Sequence, residues 1–316
     1  MRNAPPPVLS SIGRDLARPE CVLACASGRL YASDKRGGIA VIEPNGAQRR
    51  IGDAPALVPN GIALGRDGSF LVANMGADGG VWRIDRDGQA RPWLMEVDGV
   101  PLPKVNFVAV DARDRAWVCV SSRDTGDAYP LHDPTGFIAL VEGGRARIVA
   151  DGLHYTNECR IDADGRWMYV NETFGRRTSR FALRDDGELS DRVVVAEFTG
   201  DGDFPDGLAL DAEGGLWVVC VGSNRIYRVT PGGEVDAVID DGVAETTRAL
   251  EHAFRSGSLT RPMLSSAVGS RLHNATSIAF AGADLRTAVL GCLKGGSLAT
   301  FRAPVAGLAP VHWHWC

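Results

Sequence analysis

Residues 60–74 read NGIALGRDGSFLVAN, and the same pattern returns along the whole chain. A polar residue opens a short apolar strand, a turn built on Asp or Gly follows, and a second strand rich in Val, Leu and aromatic residues runs back. Glu20 opens ECVLACASGRLYAS (20–33), Asn106 opens NFVAVDARDRAWVCVSS (106–122), Asn157 opens NECRIDADGRWMYVNET (157–173) and Asp206 opens DGLALDAEGGLWVVCVG (206–222). A looser copy, TSIAFAGADLRTAVLGC, starts at Thr276. Aligned on the second strand, Leu30, Phe70, Trp117, Met168, Trp217 and Ala288 are equivalent, each ten to twelve residues after its opening polar residue. Six hairpins at intervals of about 40–50 residues, with one longer gap, are the signature of a β-propeller.

Further strands complete each unit. Third strands are predicted at 37–44, 79–86, 136–143, 178–185 and 224–231, and fourth strands at 89–95, 145–150, 192–198 and 234–239. The expected fold is all-β: a six-bladed β-propeller with four-stranded antiparallel blades around a central channel, one domain over residues 1–316. A lone up-and-down sheet cannot cover both its faces, so the repeats are stable only as a ring. The segment PVLSSIG near the start is expected to supply the outer strand of the last blade.

The formal net charge is −5, and no basic patch is present to neutralise phosphates, which excludes nucleic acid as a partner. No apolar run resembles a signal peptide or approaches the length needed to span a bilayer, so the expectation is a cytoplasmic protein with no membrane partner. Of the seven cysteines, Cys21, Cys25, Cys119, Cys159, Cys220 and Cys292 lie in apolar strand segments. Cys21 and Cys25 stand roughly 13 Å apart along a strand, too far for a disulfide. These residues read as small buried side chains in a reducing compartment. The closing stretch VHWHWC puts His312 and His314 in an edge strand or tail away from the ring.

Strand direction places the opening polar residues on one face near the axis. The same face receives the longest insertions, at about 122–135 and 240–273. The second contains AETTRALEHAFRSG, read as a short helix. Long loops gathered on one face of a rigid scaffold are the usual place for a binding site. Glu20 and Asp206 bring two carboxylates there, and Asn106 and Asn157 bring neutral carbonyl oxygens. An all-oxygen donor set with two negative charges suits one divalent cation, Ca²⁺ first, with Mg²⁺, Mn²⁺ or Zn²⁺ as alternatives. Two unpaired carboxylates near one another are costly without such a cation. Tyr129 and His132 on the upper insertion, with Arg123, are placed at the substrate pocket.

The stretches PE (19–20), PNGIAL (59–64), KVNFVAVD, TNECRIDADGRWMYVNET, FPDGLALDAEGGLWV and TSIAFAGADLRTAVLG together resemble the SMP-30/gluconolactonase/luciferin-regenerating family of six-bladed propellers, from about residue 20 to 310. The related organophosphorus-hydrolysing propellers share the likeness. The resemblance implies that Glu20, Asn157 and Asp206 are metal ligands, that Asn106 is a fourth ligand or a substrate contact, and that Asp206 is the catalytic carboxylate. Two positions depart from the family. Lys104-Val105-Asn106-Phe107 stands where lactonases of this group often carry Arg-x-Asn-Asp, and Glu158 follows Asn157 where Gly is common. Lys lacks the bidentate fork of Arg.

The expected activity is metal-dependent hydrolysis of a sugar-type or other small lactone. In it, a divalent cation polarises the carbonyl and Asp206 acts as base. Asp203 is a second candidate base. Lys104, Asn106, Asn60, Tyr129 and His132 are assigned to the substrate. The alternatives are a phosphotriesterase-like hydrolase on the same metal and a non-catalytic ligand-binding propeller. The sequence leaves the oligomeric state open.

Overall fold

A computed structural model describes residues 7–124 and 128–316. Residues 125–127, in the middle of the first long insertion, and the first six residues lie outside the described residues.

The hairpin repeat folds as its pattern dictates. Each alternating strand buries one set of side chains against the next blade, and the turns carry Gly or Asp at the tight positions. Six four-stranded antiparallel sheets result, arranged as a six-bladed propeller. Their innermost strands are Val22–Ala24, Pro59–Leu64, Phe107–Val110, Thr156–Ile161, Asp203–Leu210 and Ala275–Ala281. The six aligned positions all pair with the inner strand of their own blade: Leu30 with Ala24, Phe70 with Leu64, Trp117 with Ala109, Met168 with Ile161, Trp217 with Ala209 and Ala288 with Phe280. All six are buried, and they wedge between neighbouring blades. In blades three and five an aspartate after the inner strand ties this wedge down. Trp117 and Trp217 donate their indole N–H to Asp111 (3.0 Å) and Asp211 (3.1 Å), and Arg115 and Arg228 pair with the same carboxylates at 2.7 Å.

The ring closes by joining distant parts of the chain. Ser10–Ile12 pairs antiparallel with Leu298–Arg302 as the outermost strand of blade six, with Ser10 opposite Thr300. This is the position expected for PVLSSIG.

The closing segment departs from expectation. Residues 306–316 form neither a strand nor a free tail; they make a strap under the central channel. Leu308 N–H donates to Leu210 (2.8 Å), Ala212 N–H donates to Ala306 (2.9 Å), and Ala26 N–H donates to Trp313 (2.8 Å), so the strap runs from blade five to blade one. The Arg66 guanidinium from blade two covers the Trp315 ring at 4.6 Å. Cys25 is disulfide-bonded to Cys316, with Cα atoms 6.4 Å apart. Five cysteines are free and buried as expected, whereas Cys25 is not. Spacing arguments see only near neighbours, and this pair is 291 residues apart in sequence. Above the strap lies a cavity of about 340 Å³, walled by Ile62, Phe107, Cys159, Ala209 and Ile278 and floored by Leu308–His312. His312 is held neutral, its pKa pushed down to about 4 by burial and by the nearby Arg160 charge.

No helix among the described residues is long and apolar enough to cross a membrane. The expected helix forms at Ala244–Arg255, followed by a short one at Arg261–Ser265. Leu250, Ala253 and Leu264 of these helices pack with Leu131, Tyr155, Phe174 and Phe204.

Candidate functional site

The inner strands explain why polar side chains meet at the axis. In blades two, four, five and six the ladder breaks register between Pro59 and Ile62, Thr156 and Cys159, Pro205 and Leu208, and Ala275 and Ile278. Each break spans one opening residue: Asn60, Asn157, Asp206 or Thr276. Such bulges re-aim a side chain that the regular pleat would send elsewhere. Glycine follows Asn60 and Asp206 for a steric reason. A Cβ at Gly61 would stand 2.7 Å from Phe107 Cα, and one at Gly207 would stand 2.3 Å from the Thr276 carbonyl oxygen. In blades one and three, Glu20 and Asn106 lie just ahead of the inner strand. Asn106 is fixed by its N–H to Cys119 (3.1 Å).

Glu20, Asn60, Asn106, Asn157 and Asp206 are brought together and buried. Asn60 Nδ2 donates to Glu20 Oε1 (3.0 Å), the Asn106 carbonyl oxygen (2.9 Å) and Asn106 Oδ1 (3.3 Å). Arg18 Nη2 donates to Asn60 Oδ1 at 2.7 Å, which fixes that amide's orientation. Asn157 Nδ2 donates to Thr173 Oγ1 (3.0 Å), and Thr173 Oγ1 donates to the Pro205 carbonyl (2.9 Å). Thr276, the sixth position, donates to the Glu20 carbonyl (2.8 Å) and closes the ring of contacts without adding a charge. Two oxygens are left over. Glu20 Oε2 and Asn157 Oδ1 are buried without any hydrogen-bond partner.

The electrostatics follow from burial and crowding. Burial raises the Glu20 pKa to about 8, with Glu158 adding to the rise and Arg18 opposing it. Burial, then the Glu20 and Glu158 charges, push the Asp206 carboxyl well above the usual carboxylate range, against Arg18 and the Asn157 amide. Glu158 is raised by burial as well, held against Arg160 (2.6 Å) and the Leu208 N–H (3.1 Å). The residue in place of glycine therefore bonds across to blade five beneath the cluster.

These donors fit a hard divalent cation. Two carboxylates that resist ionising together, and two buried oxygens with no protein donor, form a donor set that a divalent cation would satisfy. Glu20, Asn157 and Asp206 would hold it, with Asn106 beside them. Among the described residues no group of three or more His, Cys, Asp or Glu side chains could hold a metal ion, so any metal here takes amide oxygens as well.

Other expected residues fall around this centre unevenly. Tyr129 is close enough for its ionisation to feel the Asp206 and Arg18 charges, and its ring packs on Phe174 at 4.9 Å, under the Arg261 guanidinium at 4.6 Å. His132 is exposed at the rim, 5.8 Å from Phe254. Arg123 is exposed and paired with Asp151 at 2.7 Å. Lys104 is half-buried in the bend before Asn106. Asp203 is buried and engaged by Arg225 (2.9 Å) and the Tyr227 hydroxyl (2.7 Å), a structural anchor within blade five. Sequence reasoning missed Arg18. It lies two residues ahead of the first repeat, so the alignment of repeats never reached it.

The model of the SMP-30/gluconolactonase/LRE-like region matches residues 18–253. The chain is 28% identical over 178 residues to 6-deoxy-6-sulfogluconolactonase of Pseudomonas putida, covering 55% of this chain and 58% of that protein. It is 40% identical over 186 residues to human regucalcin, covering 58% and 60%. Less than two thirds of either relative's length is thus spanned. Among solved structures it is similar in fold to a luciferin-regenerating enzyme (TM-score 0.70, 17% identity, 96% and 98% of the two chains). A gluconolactonase from Xanthomonas campestris is similar in the same way (TM-score 0.67, 20% identity, 96% of both).

Proposed function

The chain belongs to the SMP-30/gluconolactonase/LRE-like family, and on that footing we propose that it hydrolyses a small lactone with a divalent cation held at the axis by Glu20, Asn157 and Asp206. The observation that carries this reading is the pair of buried, partnerless oxygens, Glu20 Oε2 and Asn157 Oδ1, beside the Asp206 carboxylate. The names of the relatives, a sulfogluconolactonase and a gluconolactonase, support a sugar-type lactone. Regucalcin is described elsewhere in the family as calcium-binding, which supports Ca²⁺ as the first cation to try.

A cation bound there supplies electrophilic polarisation of the lactone carbonyl. The remaining work falls to side chains. Asp206 accepts the proton of the attacking water at its carboxylate and returns it to the ring oxygen as the ester C–O bond breaks, leaving a hydroxy acid. Its burial makes it a stronger base than an exposed aspartate, while ligation pulls the other way. Asn60 holds Glu20 in place, and Thr173 orients Asn157. Asn106 and Tyr129 line the approach, and the aromatic cluster of Tyr155, Phe174 and Phe204 keeps bulk water from that side.

The test is a panel of lactones, with one phosphotriester, assayed on chelated protein to which Ca²⁺, Mg²⁺, Mn²⁺ or Zn²⁺ is returned. Cation-dependent opening of a lactone is expected. Hydrolysis of the phosphotriester alone would move the assignment to that chemistry on the same site. No turnover with any cation would leave a ligand-binding propeller.

A further inference from the structure

Arg18 stands at the mouth of the axial cluster in an unusual state for a cation. Its side chain is half-buried, and its hydrogen bonds go to neutral acceptors, Asn60 Oδ1 (2.7 Å) and the Pro59 carbonyl (3.3 Å). A guanidinium carries five N–H donors in a planar fork, so these contacts leave donors over. The backbone at Arg18 is left-handed (φ 50°), a conformation uncommon for a residue with a Cβ. That turn lets the Arg18 carbonyl accept from Glu20 N–H at 2.8 Å and swings the side chain over Asn60.

The charges around it decide what it can receive. Glu158 is already matched from below by Arg160 at 2.6 Å. Arg160 also donates to the Cys159 carbonyl (2.8 Å) and lies over the Phe107 ring (4.7 Å), on the channel side. Arg18 sits on the opposite side, where its charge reaches Glu20, Asp206 and Tyr129. Once a divalent cation satisfies Glu20 and Asp206, the Arg18 charge has no carboxylate left to balance. A partly desolvated guanidinium in that state favours an incoming anion, and its fork suits a planar oxyanion best.

We infer that Arg18 is a specificity-determining residue: it receives a negatively charged oxyanion substituent on the substrate, so the preferred lactones of this chain are anionic. This rests on the lactonase reading and narrows it. Arg18 thereby joins Lys104, the cation expected from the sequence, as a recognition residue.

The experiment compares a neutral lactone with the same ring bearing a carboxylate, on the cation-loaded enzyme, for wild type, Arg18→Ala, Arg18→Gln and Arg18→Lys. Wild type should show the lower KM for the carboxylated substrate. Loss of a charge-assisted bidentate contact should raise that KM about 10- to 100-fold in Arg18→Ala and Arg18→Gln. The neutral lactone should change only a few-fold, through Asn60, and Arg18→Lys should fall between. Calorimetry with tetrahydrofuran-2-carboxylate, an unreactive cyclic ether, gives a readout independent of turnover; binding should vanish in Arg18→Gln.

Equal losses on both substrates would reduce Arg18 to a positioning residue for Asn60 and overturn the inference. So would equal affinity of wild type for the carboxylated ether and its neutral alcohol. If no lactone is opened yet the carboxylated ether binds through Arg18, the lactonase reading fails and anion recognition stands. If lactones open without preference for the anion, the reverse holds.

Discussion

Asn60 Nδ2 donates to Glu20 Oε1 at 3.0 Å, joining blade two to blade one across forty residues of sequence. Because Arg18 occupies Asn60 Oδ1, the amide can face Glu20 and Asn106 only as a donor. Asn60, assigned to the substrate from the sequence, also holds the carboxylate beside it. A hydrogen bond to a charged group contributes about 1.5–3 kcal/mol, so Asn60→Ala should weaken divalent-cation binding roughly tenfold or more. Asn60→Asp should weaken it less, since the new carboxylate repels Glu20 but attracts the cation. Calorimetric titration with Ca²⁺ checks both, and unchanged affinity in Asn60→Ala would show that Glu20 does not need this support.

The cation-free ring should lose stability as the pH rises. Glu20 has a folded pKa of about 8 against 4.5 for an ordinary glutamate, so the folded state holds a proton the unfolded chain has released. Stability from this group is complete below about pH 4.5 and is lost as pH climbs toward 8. Asp206 is raised in the same direction. Chelated protein should therefore melt lower at pH 8 than at pH 6, and Ca²⁺ should raise Tm more at pH 8, because it binds the folded ring alone. Glu20→Gln should flatten the pH profile and remove most of the Ca²⁺ shift. A Ca²⁺ shift of the same size in wild type and variant would place the cation elsewhere.

Asp206→Asn separates ligation from proton transfer. The substitution keeps an oxygen near the cation but removes a charge and the base. Loss of a positioned base costs typically about 10²–10⁴-fold in rate. Excess Ca²⁺ should restore occupancy, read by melting temperature, without restoring kcat. Full recovery of turnover at high Ca²⁺ would assign the base to another group.

The repeat was legible because one physical constraint, the wedge between blades, recurs at Leu30, Phe70, Trp117, Met168, Trp217 and Ala288 with nearly fixed spacing. The meeting of Glu20, Asn106, Asn157 and Asp206 at one axis followed from the same register. What the sequence hid is not set by the register of the repeat. Arg18 acts through a left-handed turn that precedes the first copy. Glu158 reaches sideways to Leu208 of the next blade, a contact that no single-blade pattern contains. The Cys25–Cys316 bond exists because the closing strap passes under the channel to blade one. Local periodicity encodes contacts between equivalent strand positions; two of these join neighbouring blades through residues with no counterpart in the other copies, and the third joins distant parts of the chain.

That disulfide gives the last expectation. The strap is held to blade five by the Leu308 and Ala306 backbone bonds, to blade one by Ala26–Trp313, and covalently at Cys25. Removing a disulfide that closes a long loop typically costs about 2–4 kcal/mol, and the remaining backbone bonds should keep the loss toward the lower end. Cys316→Ser should lower the urea midpoint accordingly, and a dithiol reductant should bring wild type down to the variant while leaving the variant unmoved. The amide of Ala26 should exchange faster with solvent in the variant, since its acceptor Trp313 is released. Glu20, Asn157 and Asp206 sit at the opposite end of the channel from Leu308–His312, so the Ca²⁺-induced rise in Tm should survive the substitution. Loss of that rise in Cys316→Ser would mean that the strap and the axial cluster are coupled through the channel wall, with Arg160 and Glu158 the connecting pair.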